Sequence, residues 1–282
     1  MSDIYLKEDE IDLFLENWSN SIKENFKNLN LNAFTLNFIS NIIKSFLREF
    51  DLFRDDIKID ELEALFLSEK ENNEELEEYE SLRDAIKFLI IRINMYENRE
   101  FSTKFSENLE EDIANLKKLY HDSRSLVEII HYTGNSISFK NNFKEDLMTK
   151  FINEFHIPEN IYLYRLTNIQ NFEKLIGMNL SDLIEFEKKE KLEFTINNII
   201  STSLKQFAIE DTNYETGDFD IFLRIKSPKG STAFPTEVCS AIKGEMEVLL
   251  PIGTKFRIDE VKKDYEYIDG NTIKYFIECE II

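Results

Sequence analysis

All seven glycines of this 282-residue chain lie at or after Gly134, and all four prolines lie at or after Pro158. The first 133 residues therefore lack both residue types that punctuate turns, which predicts a helical front and a strand-rich back. At roughly 100 to 200 residues per domain the length suits about two domains, and 42% apolar residues are enough for a sizeable core. So few glycines leave no G-x-G-x-x-G and no G-x-x-x-x-G-K-[ST]. The Rossmann fingerprint and the P-loop are thus excluded as routes to a nucleotide.

The net charge of −21 repels DNA, RNA and anionic lipid over a Debye length, so no nucleic-acid partner is expected. Residues 1–133 carry 14 of those 21 excess negative charges, which makes the front the more acidic part. Two cysteines, Cys239 and Cys279, cannot form a disulfide framework, and the three histidines share no metal-ligand spacing, so no metal is expected. The opening MSDIYLKEDEIDLF has neither a basic n-region nor a long apolar h-region, and no apolar run approaches the ~20 residues of a membrane span.

Apolar residues at Ile11, Leu15, Trp18, Ile22, Phe26 and Leu29 step by three and four, the spacing of one helix face. Phe34, Phe38, Ile42, Phe46 and Phe50 repeat it, and Leu31, Ile39, Ile43 and Leu47 widen that face. Leu62, Leu65 and Phe66 suggest a short helix, Leu82 to Ile93 a longer one, and Ile113, Leu116 and Tyr120 another. The acid run at 71–80 reads as solvated charge at a helix start. A last amphipathic helix (Phe143, Leu147, Phe151, Phe155) is expected to end before Pro158.

Beyond Pro158 come short runs rich in β-branched and aromatic residues: IYLYRL, FTINNIISTS, FDIFLRIK, STAF, EMEVLLP, KFRIDEV and IKYFIECEII. Pro-Lys-Gly, Pro-Ile-Gly and Asp-Gly-Asn separate several of them and read as turns. The back half is expected to be mainly antiparallel sheet, and the acid-rich stretch 94–111 is the expected seam between domains.

Three pieces carry chemistry. Arg165 stands within the strand IYLYRL, where it points either outward to water or inward to an anion. Ser201-Thr202-Ser203 follows the apolar pair Ile199-Ile200, a strand end or a helix cap in isolation. Glu245-Met246-Glu247 leads into Val248-Leu249-Leu250; alternation along a strand sets both glutamates on one face, where their repulsion makes a purely structural role less natural.

In this order and on strands, the pieces resemble the mono-ADP-ribosyltransferases of the arginine, Ser-Thr-Ser, Glu-x-Glu group, especially the catalytic subunits of clostridial and bacillary binary toxins. The matching residues are Tyr164-Arg165, Ile200 to Ser203, and the run Gly244 to Phe256. Gln170, Asn198 and Tyr132-Thr133-Gly134 agree with flanking positions of the family pattern, and Phe139 with Asn142 stands near its helical aromatic and asparagine. Where relatives carry Phe and Arg before the strand matching FDIFLRIK, this chain has TGDFD.

The resemblance implies an α+β chain: a helical bundle over 1–105 that docks a partner or aids delivery, then a catalytic domain over 106–282 with two packed, mainly antiparallel sheets flanked by helices. It implies NAD as substrate, with no metal, and a protein target carrying the acceptor arginine. Glu247 would stabilise the positive charge that grows on the ribose as nicotinamide leaves, a role worth about 10²- to 10³-fold in rate. Ser201 would hold Glu247, and Glu245 would orient the acceptor guanidinium; relatives with glutamine there tend to modify asparagine. Arg165 would grip the pyrophosphate bidentately. Gln170, Asn198, Thr202, Ser203 and Asn142 would complete the NAD site, and Tyr132 either lines the nicotinamide pocket or packs the core. Hydrolysis of NAD is the expected side reaction. Without a recognisable signal peptide, the protein is expected to stay in the producer's cytoplasm or to leave by a non-classical route and act in a host cytoplasm. The same motifs would fit a phage enzyme modifying a host protein, and a scaffold that has lost its activity is the non-catalytic alternative.

Overall fold

The apolar stripe that begins at Ile11 does form a helix, α1 (Ile11–Lys23), which buries Ile11, Phe14, Leu15, Trp18 and Ile22. A 3-10 turn over Glu24–Phe26 ends it and buries Phe26. The computed structural model describes residues 5–26, 29, 31–49, 52, 82–89, 109–134, 144–187, 192–206, 219–240, 246–268 and 271–282. The short helix expected around Leu62 lies outside the described residues.

The chain divides into two compact units, one of residues 26–127 and one of residues 1–25 with 128–282. In the first, α2 (Ala33–Glu49) buries Leu36, Ile39, Ile43 and Leu47, a row three and four residues apart, and α3 (82–89) buries Ile86 and Leu89. Helix α4 (Leu109–Gly134) runs 26 residues, well beyond the stretch signalled by Ile113 to Tyr120, and carries Tyr132 in its last turn.

The second unit is built on a sheet. Helix α5 (Glu145–Ile152) precedes β1 (Ile161–Thr167). Two short helices follow, α6 (Ile169–Ile176) and α7 (Leu180–Glu187), in a stretch for which the sequence reading predicts no helix. Helix α6 is punctuated at both ends: the Asn168 side chain accepts from the Asn171 amide at 2.8 Å, and Gly177 at φ +69° closes it through an amide bond to the Glu173 carbonyl. Such an N-cap is worth about 1 kcal/mol, and the left-handed C-terminal residue favours glycine.

The run FTINNIISTS does not form one strand. It splits into β2 (Glu193–Thr195) and β3 (Ile200–Ser203), with Asn197 and Asn198 exposed in the bend between them. The remaining strands are β4 (Ile221–Ser227), β5 (Phe234–Pro235), β6 (Glu247–Leu250), β7 (Lys255–Ile268) and β8 (Asn271–Ile281). Their order across the sheet is β2-β7-β8-β4-β1-β3-β6-β5, antiparallel except for the parallel pair β4–β8. The two expected sheets are halves of this one surface: β2-β7-β8-β4-β1 and β3-β6-β5 meet through the register pair Tyr164↔Ser203. With helices flanking the sheet, the α+β class holds.

Phe151, Phe155 and Phe234 pack their rings 5.1–5.4 Å apart and pin α5 to β5. Helix α1 joins the same unit, packing against β5 and the 3-10 turn Thr236–Val238 that follows it. Asp12 of α1 pairs with Lys205, two residues past β3, at 2.8 Å. Just before α1, Tyr5 stacks on Tyr162 of β1 at 4.6 Å, and the Leu6 amide donates to the Asn160 carbonyl at 3.0 Å. Among the described residues no helix is long and apolar enough to cross a membrane.

Candidate active site

Strand alternation decides where Arg165 goes. Ile161, Leu163 and Thr167, which share its side of β1, are buried, so the arginine lies on the core face and not toward water. Its guanidinium Nη1 donates to the Ser201 carbonyl of β3 across the junction between the sheet halves. Burial works to lower the Arg165 pKa, while Tyr132 and Glu247 act to keep it charged. With its ordinary pKa above ~12, the guanidinium remains a cation.

Glu247 opens β6, between β3 and β5. The register sets Ser203 directly opposite it and Ser201 opposite Leu249, so both serines share the face of Glu247. Thr202 belongs to the other face; it is buried, and its hydroxyl donates to the Val248 carbonyl at 2.8 Å. The Ser203 hydroxyl accepts from the Lys205 amide at 3.2 Å and keeps its own proton to donate.

Tyr132 reaches the same place from the end of α4, where its hydroxyl donates to the Ile199 carbonyl at 3.4 Å. Burial pushes its phenol up to about 12; Arg165 opposes the shift, and Glu247 and Glu145 add to it. Arg165, Glu247 and Tyr132 thus sense one another's charge. A half-buried cation bonded to the Ser201 backbone, beside a carboxylate and a phenol whose charges it senses, suits an anionic ligand on one side and a developing positive charge on the other.

Gln170 is exposed in the first turn of α6, and Asn198 is exposed in the bend before β3. Glu245 and Asn142 lie outside the described residues, as do Gly244 and Phe139. Among the described residues no group of three or more His, Cys, Asp or Glu side chains could hold a metal ion.

Thr236 belongs to the neighbourhood without any signal in the sequence, and Cys239 lies three residues beyond it. Thr236 is buried and donates its hydroxyl to the Glu247 carbonyl at 3.2 Å. Cys239 is buried too, and burial first, then Glu247, pushes its thiol up, with Lys23 of α1 acting against them. A thiol held protonated in this way is inert as a nucleophile.

Residues 144–281 match the family described as ADP-ribosyltransferase exoenzyme. The epidermal cell differentiation inhibitor of Staphylococcus aureus is 28% identical over 118 residues, 37% of this chain and 48% of that protein. The chain thus spans about half the length of the curated relative it matches. Among solved structures, an ADP-ribosyltransferase from Clostridium botulinum is 22% identical, with 64% of this chain and 99% of that one covered at a TM-score of 0.41. A Staphylococcus aureus protein solved with NAD is 19% identical, with 65% and 99% covered at a TM-score of 0.40.

Proposed function

From the premise that residues 144–281 form a toxin-like ADP-ribosyltransferase exoenzyme domain, we propose that this chain cleaves NAD and transfers ADP-ribose to an arginine of a protein target. The observation that carries the reading is that Arg165 of β1 and Tyr132 of α4 both bond to the backbone of β3 and the residue before it, at Ser201 and Ile199, while Glu247 of β6 lies opposite Ser203 of the same strand.

The chemistry follows from these side chains. The half-buried fork of Arg165 suits the pyrophosphate of NAD, and its local charge, rather than the net charge of −21, decides whether a dinucleotide binds. Glu247 stabilises the positive charge that grows at the ribose carbon as the bond to nicotinamide breaks. Ser201 and Ser203, on its face, can hold the carboxylate in one orientation. Glu245 supports arginine as the acceptor, because a guanidinium needs a carboxylate to orient it and help remove a proton. When no acceptor docks, water takes its place and free ADP-ribose results.

In this reading the target is a host cytoplasmic protein, and residues 1–105 serve docking or delivery. The deciding assay incubates the protein with labelled NAD and agmatine or candidate target proteins, beside Glu247→Ala. Label should transfer with the unaltered protein and fall by about 10²-fold or more in the variant; equal transfer by both would remove Glu247 from the chemistry. Label on asparagine instead of arginine in a modified target would overturn the acceptor.

A further inference from the structure

The backbone on either side of Glu247 is held in an unusual way. Met246, the residue before it, has φ +50°. A side-chain-bearing residue adopts this left-handed setting at a cost of about 1 kcal/mol or more, so the surroundings must enforce it. Two hydrogen bonds hold the peptides that follow it. The Met246 carbonyl accepts from the Leu204 amide at 3.0 Å, and the Glu247 carbonyl accepts from the Thr236 hydroxyl at 3.2 Å. These carbonyls belong to the two peptide planes that flank the Glu247 Cα. Fixing both planes fixes φ and ψ of Glu247, and with them the direction in which its side chain leaves the strand.

Thr236 is itself anchored. It is 2% exposed and starts the 3-10 turn Thr236–Val238, and its carbonyl accepts from the amides of Cys239 at 2.9 Å and Ser240 at 2.7 Å. Helix α1 packs against this turn.

We propose that Thr236 is a positioning residue for Glu247: its buried hydroxyl locks the peptide plane after the glutamate while Met246, in left-handed backbone, turns the plane before it. The proposal rests on the reading of Glu247 as the carboxylate that acts at the ribose. A hydrogen bond whose benefit appears in the orientation of a reacting group changes kcat and leaves ground-state binding alone.

The test measures nicotinamide release from NAD with agmatine as acceptor, together with melting temperature, for the full chain and five variants. Thr236→Val removes the hydroxyl at constant shape. It should lower kcat by roughly tenfold with KM for NAD within about twofold, and Thr236→Ser should restore most of the rate. Unchanged kcat in Thr236→Val, or a serine variant as slow as the valine one, overturns the proposal. Should Thr236→Val not fold, Met246 decides. Met246→Asn, which tolerates left-handed backbone, should keep the rate, and β-branched Met246→Val should lose it with KM for NAD unchanged; equal rates overturn the proposal. Glu247→Gln separates the two levels. An active Glu247→Gln sinks the reading of the site, whereas an inactive one beside a fully active Thr236→Val sinks the positioning role alone.

Discussion

Ser203 of β3 lies directly opposite Glu247 of β6, and Ser201, two residues back on the same face, lies opposite Leu249. Directly opposed Cβ atoms sit about 4.5–5.5 Å apart and diagonal neighbours about 7–8 Å, both within reach of a glutamate side chain. Thr202, between the serines, faces away and is bonded to the Val248 carbonyl. Ser201→Ala and Ser203→Ala are therefore each expected to lower kcat by about tenfold with little change in melting temperature. Thr202→Val should do the reverse, losing roughly 1 kcal/mol of stability with kcat within about threefold. Paired kinetics and thermal melts check this, and a threonine variant that behaves like the serine ones would contradict the face assignment.

The phenol of Tyr132, pushed up to about 12 chiefly by burial, keeps its proton through the ordinary tyrosine range near ~10. The rate profile should show no tyrosine limb between about pH 8 and 10. Tyr132→Phe keeps the ring and drops one long hydrogen bond to the Ile199 carbonyl, so its kcat/KM should stay within about threefold. Tyr132→Ala removes the ring and should cost at least tenfold. A phenylalanine variant as impaired as the alanine one would show that the hydroxyl itself acts on the substrate.

How much of this was legible in the sequence depends on the residue. Period-two alternation told which residues share a side of β1 with Arg165, but not which side meets the core; the burial of Ile161, Leu163 and Thr167 settles that. The stripe Ile11, Leu15, Trp18, Ile22 identified the buried face of α1. Its cover, β5 and the turn at Thr236, lies more than 200 residues along the chain, and no local pattern points to such a partner. The helix α6 was readable in principle, since Asn168 and Gly177 bracket Ile169, Phe172 and Ile176 at helical spacing, but the β-rich surroundings outweighed that local signal. The break in FTINNIISTS follows from two adjacent asparagines, which favour bends over strands. Gln170 and Asn198 matched a family pattern by position alone, and both side chains are exposed.

Helix α1 holds the unit that carries the site through apolar packing far more than through charge. The pair Asp12–Lys205 is partly exposed, at 64% and 26%, and is worth less than about 1 kcal/mol. Trp18, 4% exposed and the single tryptophan of the chain, should cost about 3–5 kcal/mol when truncated to alanine. Urea unfolding followed by circular dichroism is expected to rank Trp18→Ala far below Lys205→Ala in midpoint. The fluorescence of Trp18 in the unaltered protein should report the same transition as kinetic inactivation, because residues 1–25 belong to the unit that carries Glu247. An active protein after loss of the fluorescence transition would uncouple α1 from the site.

Charged side chains of β4, β8 and β7 form a ladder on the sheet, and it sets an acid limit to stability. Glu278 of β8 accepts from Arg224 Nε at 2.6 Å and pairs with Lys226 at 2.6 Å; Lys226 also meets Asp259 at 3.1 Å, and Arg257 bridges Asp259 and Glu280. Burial works to raise the Glu278 carboxyl, but the bonds from Lys226 and Arg224 overcome it and hold the pKa below the ordinary carboxylate range. A carboxyl depressed in the folded state binds its proton more weakly than in the unfolded chain. Its contribution is therefore complete above about pH 4.3 and is lost as the pH falls through the native value. Glu278→Gln keeps the shape and removes the charge, and at pH 7 it should lower stability by roughly 1–3 kcal/mol. Denaturation at pH 7, 5, 4 and 3 should show that difference shrinking below about pH 4.3 as the native carboxyl takes up its proton. A gap that stays constant down to pH 3 would mean that packing of the side chain, and not its charge, stabilises the ladder.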